Sequence, residues 1–154
     1  MKGKSIRSVF WALVAMFIVL VMLMLATPAA LPPAFRGAFL WIFFTSGAVS
    51  FLLGVALIVL TVKEKIRGMP KKFLLLTGAS AVGLPVFGLL HNAIYALFIC
   101  WFGADFWSRT GLEDEPVFFI LAAIICPLGF LTGIVGSLVL AARNKGAELP
   151  SGSN

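Results

Sequence analysis

Charge is scarce in this chain of 154 residues: 12% are Asp, Glu, Lys or Arg, while 61% are hydrophobic. Soluble domains average about 25% charged and about 45–50% apolar. A water-soluble protein of this length has too little interior to hide so much apolar surface, so the solvent around most side chains must be lipid. Histidine occurs once, at His91, which excludes bis-histidine haem. Cysteine occurs twice, which excludes a disulfide framework. Cys100 falls near the end of one apolar segment and Cys126 near the middle of the next. Their depths differ by roughly 12 Å at helical rise, beyond the ~7 Å between Cα atoms that a disulfide tolerates. Both are expected as free thiols. No GxxxxGK phosphate loop is present.

What the chain does have is four long apolar segments. The third, Phe73–Phe102, is the most informative: thirty residues without a formal charge, containing three glycines, Pro85 and the single histidine. Thirty helical residues span about 45 Å, against a hydrocarbon core of about 30 Å. The segment must tilt, pass the interface or bend, and Pro85 supplies a reason to bend because it removes a backbone donor and crowds the carbonyl of Ala81. The other segments run over about 9–26, 38–62 and 117–142. The first follows a basic start and precedes Ala-Thr-Pro-Ala-Ala, so it has the outline of a secretory signal. It exceeds the usual apolar length of about 7–15 residues, and an uncleaved helix is expected. Thr27–Gly37, with three prolines, predicts extended turns. Pro127 offers a kink in the fourth segment. The expected fold is all-α: an integral membrane four-helix bundle, antiparallel up-down, with one transmembrane domain over 1–142 and a polar tail over 143–154.

The cations set the expected orientation. The N-terminus, Lys63–Lys72 and the tail hold ten of the twelve Lys and Arg. Arg36 and Arg109 alone occupy the other two connections. The positive-inside rule then puts both termini in the cytoplasm, at the inner cell membrane. The net charge of +6 is spread in short runs between apolar segments, so nucleic acid is not an expected partner; the lipid bilayer is. Lys63–Lys72 is foremost a topology determinant, and it could also attract anionic headgroups. Trp101 and Trp107 suit a membrane interface. In Glu113–Pro116, carboxylates and a proline resemble a helix start; the alternative, an external cation site, is not defined by three adjacent acids.

Two faces carry small residues at helical spacing. Ser46, Ser50 and Gly54 form one, and Gly129, Gly133 and Ser137 the other. Both predict close helix packing, within the chain or with a second copy or another membrane subunit. On the third segment Thr77, Ser80, Leu84, Gly88, His91 and Tyr95 share a stripe, with Asn92 beside it. A polar stripe inside lipid should face other helices. His91, about 15 Å from the outer end of its helix, with Asn92 and Tyr95, is the candidate site for a small ligand or a proton. The competing reading is a neutral histidine that ties two helices together. Cys126 should lie at a similar depth, but two ligands fall short of the four a closed zinc site wants. No carboxylate is expected at that depth, which argues against a Ser-His-Asp arrangement. No catalytic, cofactor or metal site is expected, and the protein is read as non-enzymatic.

Four spans and small size resemble the small multidrug resistance transporters, which rely on a membrane-embedded glutamate in the first helix. Val9–Ala26 contains no acid. The four-helix quinone-linked disulfide enzymes carry a CxxC, which is absent here. LHNAIY in the third segment and DEPVFF opening the fourth resemble a group of uncharacterised small prokaryotic four-helix membrane proteins. The resemblance covers Phe73–Ala142 and implies no activity. The expectation is therefore a non-enzymatic subunit or assembly partner packing through small-residue faces. The alternative is a small transporter or ligand-binding protein with a site around His91.

Overall fold

A computed structural model describes residues 3–25, 32–112 and 115–147. Among them the chain is helical, with no strand: α1 is Lys4–Leu25, α2 Pro33–Lys63, α3 Met69–Phe102, α4 Phe106–Arg109 and α5 Pro116–Ile120. A π-helical turn, Leu121–Ile125, joins α5 to α6, Cys126–Ala147. Among the described residues four stretches are long and apolar enough to cross a membrane. Trp41, Leu52, Leu89 and Trp101 are each more than three-fifths exposed, which is costly in water and natural in lipid. The architecture is compatible with a multi-pass membrane protein.

The helices are longer than the apolar runs alone suggest. α1 begins at Lys4, ahead of the apolar run, and Ile6 in its first turn is already part of the core. The expected extended link does not hold over Pro33–Gly37: α2 starts at Pro33, since proline is preset for the first helical turn and its missing N–H is not needed there. Of the rest of that link Pro32 is extended (φ −53°, ψ 145°), while 27–31 lies outside the described residues, as do Ala26, Glu113, Asp114 and 148–154 of the tail. α6 runs to Ala147, so the first residues of the expected tail are helical. α3 starts after Gly68 and stops at Gly103, both at positive φ (74° and 93°), where glycine is unstrained. Arg109 closes that end, its Nη2 donating to the Phe102 carbonyl at 2.7 Å.

Pro127 acts just upstream of itself. Its ring opposes the carbonyl of Ala123, and there the chain adopts the π turn, with Cys126 N–H donating to Leu121 O five residues back.

α3 sits between α2 and α6, its two principal neighbours. A methyl group built on Gly54 would lie 2.9 Å from the Gly78 carbonyl oxygen. One built on Gly133 would lie 2.8 Å from Thr77 N and 3.0 Å from Phe73 O. At Gly129 it would meet the Ser80 hydroxyl. The small residues thus bring backbones together on both sides of α3. Ser46, Ser50 and Ser137 are buried. The hydroxyls of Thr61 and Thr77 donate to carbonyls one turn back, Leu57 O at 2.6 Å and Phe73 O at 2.9 Å, which satisfies them inside the bundle.

The core is lopsided. Ile6, Phe10, Leu13 and Phe17 of α1 pack with Leu57, Leu74, Ala81 and Phe130, and Phe17 stacks on Phe130 at 4.2 Å between centroids. These residues fill the half of the bundle around the α2–α3 connection. The other half is looser, and the candidate site lies there.

Candidate functional site

His91 projects from α3 two turns beyond Pro85. Its Nδ1 is 3.0 Å from the carbonyl oxygen of Glu115 and 3.5 Å from Glu115 Oε2. A carbonyl only accepts, so the nitrogen donating to it is Nδ1–H. The carboxylate of Glu115 caps α5: Oε1 accepts from Val117 N at 2.8 Å and Oε2 from Phe118 N at 3.0 Å. Pro116 occupies the first helical position. Glu115 is 6% exposed. Burying a carboxylate requires compensation, and two amides, the positive end of a helix and the neighbouring imidazole provide it.

This partner corrects the sequence reading, which expected no carboxylate at the level of His91. That reading assumed the third and fourth spans reach the same outer plane. In the structure α3 continues eleven residues past His91, to Phe102, while the next long rod begins level with His91. Residues 103–112 return along the protruding end of α3. There Trp107 is buried, stacks on Tyr95 (5.8 Å, 8° between planes) and donates from Nε1 to the Tyr95 carbonyl at 3.3 Å. Phe98, Phe102 and Phe106 complete the aromatic cluster.

A cavity of about 870 Å³ opens beside His91. α2 supplies Phe43, Gly47 and Phe51, α3 supplies Pro85 and Gly88, and Phe119 and Ala122 close the far wall. Leu20 of α1 lines it as well. Among the described lining residues only His91 and Asn92 have polar side chains, and they are its outermost contributions from α3. Phe44, Leu52 and Leu89 at its rim are exposed, so the cavity opens onto the apolar surface. Phe119 leans on the imidazole at 5.6 Å between centroids. The glycines and Pro85 create the space: no atom would come within 4 Å of a methyl group on Gly88, and on Gly47 the nearest would be Pro85 Cβ at 4.0 Å.

The three candidate residues therefore part company. His91 and Asn92 share the cavity. Asn92 is exposed, and its Nδ2 donates to Gly88 O at 2.8 Å. Tyr95, one turn further out, belongs to the aromatic cluster over α4. Cys126 does not join His91: its Sγ would be 2.8 Å from a methyl group on Gly83, two turns away along α3. Among the described residues no group of three or more His, Cys, Asp and Glu is placed to hold a metal. Glu115 is the residue that sequence reasoning missed as a partner; its signal, a carboxylate directly before Pro116, was legible only as a cap.

No family model, curated protein or solved structure matches the chain.

Proposed function

We propose that this is a non-enzymatic multi-pass protein of the cell membrane that binds a small apolar or amphipathic molecule in the cavity beside His91. The observation that carries the reading is the cavity itself, about 870 Å³ with an almost wholly apolar wall and two polar side chains at one end. Ligand sites have this make-up, at about 300–1,000 Å³. The assembly role loses its main support, because Gly54, Gly129 and Gly133 already meet α3 of the same chain.

The arrangement we propose is antiparallel, with both termini cytoplasmic. Contacts support it: Gly54 meets Gly78 while Gly47 meets Pro85, and Gly133 meets Thr77 while Gly129 meets Ser80. In each pair of helices the numbering runs in opposite senses. Gly3 lies against the Glu64 carboxylate, which brings the start of α1 to the basic connection. The positive-inside rule then puts that end in the cytoplasm, and the cavity belongs to the outer half.

The test is Gly88→Leu. The new side chain enters open space, and leucine favours helix over glycine by roughly 0.5–1 kcal/mol. Binding of an environment-sensitive apolar dye to purified protein should weaken about tenfold or more while thermal stability holds or rises. Unchanged dye affinity in a folded Gly88→Leu protein would remove the cavity as the site.

A further inference from the structure

We propose that the end of the bundle carrying the α2–α3 connection is a binding surface for the phosphate headgroups of anionic bilayer lipids, with Lys65 as a principal contact. This surface is separate from the cavity, and its role holds whichever face of the membrane it occupies.

The fold gathers charge that the sequence scatters. Gly3, at the start of α1, lies against the Glu64 carboxylate, and Gly136 of α6 meets Phe73 near the start of α3. In the antiparallel packing proposed above, Arg143 lies seven residues beyond Gly136, about 10 Å further along, level with the connection. Lys4 and Arg7 of α1, the five cations of Lys63–Lys72 and Arg143 of α6 thus share one end, within about two helical turns of depth. All eight are exposed. The four apolar spans also end here, at Lys4, Lys63, Met69 and Arg143, so the cations stand where hydrocarbon gives way to headgroups. Over the whole sequence, segments 1–8, 63–72 and 143–154 hold ten cations against two acids, Glu64 and Glu148. The positive excess therefore does not depend on where the tail lies.

Two of these cations are held against the chain's own preferences. Lys65 is the one non-glycine residue at positive φ among the described residues, at 52°. Its N–H donates to Val62 O at 3.1 Å, and that of Ile66 to Thr61 O at 3.4 Å. This is a helix-ending motif whose left-handed position glycine ordinarily fills, and lysine is strained there. Ile66 packs against the core, which fixes the turn. Lys71 lies in the first turn of α3, where the helix dipole disfavours a cation. A topology signal needs neither position, because it counts cations anywhere in the connection. Charge kept at both points to a counter-charge from outside the chain, and lipid phosphate is what a bilayer offers at this depth. Val62 and Met69, which flank the connection, are each more than half exposed. Apolar surface thus adjoins the cations, which suits a lipid with its acyl chains and not a soluble phosphate.

The experiment is a thermal melt of the detergent-purified full-length protein, titrated with dioctanoylphosphatidylglycerol, dioctanoylphosphatidylcholine or glycerophosphate. A compound that binds the folded state raises the melting temperature. Phosphatidylglycerol should do so at a concentration about fivefold or more below that of phosphatidylcholine, and glycerophosphate should have little effect. Lys65→Gly should melt at or above wild type without lipid, because glycine relieves the strain. It should nevertheless need about fivefold more phosphatidylglycerol, the loss expected for one cation at a membrane surface. Lys65→Gln removes the charge and keeps the strain, so it should show the same loss with no gain in melting temperature. Equal potency of the two lipids, or an unchanged phosphatidylglycerol response in both Lys65 variants, would overturn the proposal. Glycerophosphate acting at the concentration of phosphatidylglycerol would overturn the lipid assignment in favour of a soluble phosphate.

Discussion

Glu115 touches His91 with its backbone carbonyl, 3.0 Å from Nδ1, while its carboxylate turns back to cap the helix that it begins. One residue thereby fixes where the last rod starts and which residue of α3 it starts beside. Glu115→Ala removes the cap and leaves the Val117 and Phe118 amides without their acceptor. A lost helix cap costs about 0.5–2 kcal/mol, and the burial of this one puts the expected loss near the top of that range. Glu115→Gln keeps one side-chain acceptor and should lose less than Ala does. Thermal melts of the two variants in the same detergent check the order. Equal melting of Glu115→Ala and wild type would mean that the cap contributes nothing.

Two glycines of similar sequence context should respond in opposite ways to the same change. At Gly133 a methyl group meets backbone, Thr77 N at 2.8 Å and Phe73 O at 3.0 Å, and two helices must separate to admit it. Overpacking of this kind costs about 1–3 kcal/mol. At Gly88 nothing lies within 4 Å, and alanine should be neutral or stabilising by up to about 1 kcal/mol. Unfolding of Gly133→Ala and Gly88→Ala, followed by circular dichroism, separates them. A shift in the same direction for both would contradict the packing of α6 on α3.

Much of this arrangement was legible in the residues. Uncharged runs announced four long helices, and the four-residue spacing of Ser46, Ser50 and Gly54 marked one face of α2. What could not be read was register between helices. Hydropathy marks where a segment is apolar and is blind to how far one rod slides along another. Asn92–Phe102 carries no formal charge, so the sequence placed it in the membrane beside a partner helix, whereas the chain folds the short α4 over it. That slip moved Glu115 from an external connection to the side of His91 and left Tyr95 with Trp107. The cavity was equally hidden, because Gly47 and Gly88 resemble the packing glycines Gly54 and Gly78 in sequence and differ only in what faces them.

Ser137 is buried, and its hydroxyl has no hydrogen-bond partner among the described residues. An unpartnered buried hydroxyl costs about 1–3 kcal/mol. Ser137→Ala removes it and adds helix propensity. The variant should be at least as stable as wild type, by up to about 1 kcal/mol more, in the same melting assay. A clear destabilisation would show that the hydroxyl makes a bond that holds α6 in place.

The two cysteines report on orientation without any new chemistry. Cys100 is exposed and Cys126 buried. Cys100 stands nine residues past His91, about 13 Å further along α3, on the part of the helix that outruns the last rod. A membrane-impermeant maleimide applied to intact cells should therefore modify Cys100 and spare Cys126. Moving the only reactive thiol to the basic connection, as Cys100→Ser with Arg67→Cys, should reverse the pattern, with modification after permeabilisation alone. Arg67 is exposed and outside the helices, so the substitution should cost under about 0.5 kcal/mol. Labelling of Arg67→Cys in intact cells would put the Lys63–Lys72 connection on the outer face. The charge argument for both termini in the cytoplasm would then fail, and the cavity would belong to the inner half of the membrane instead.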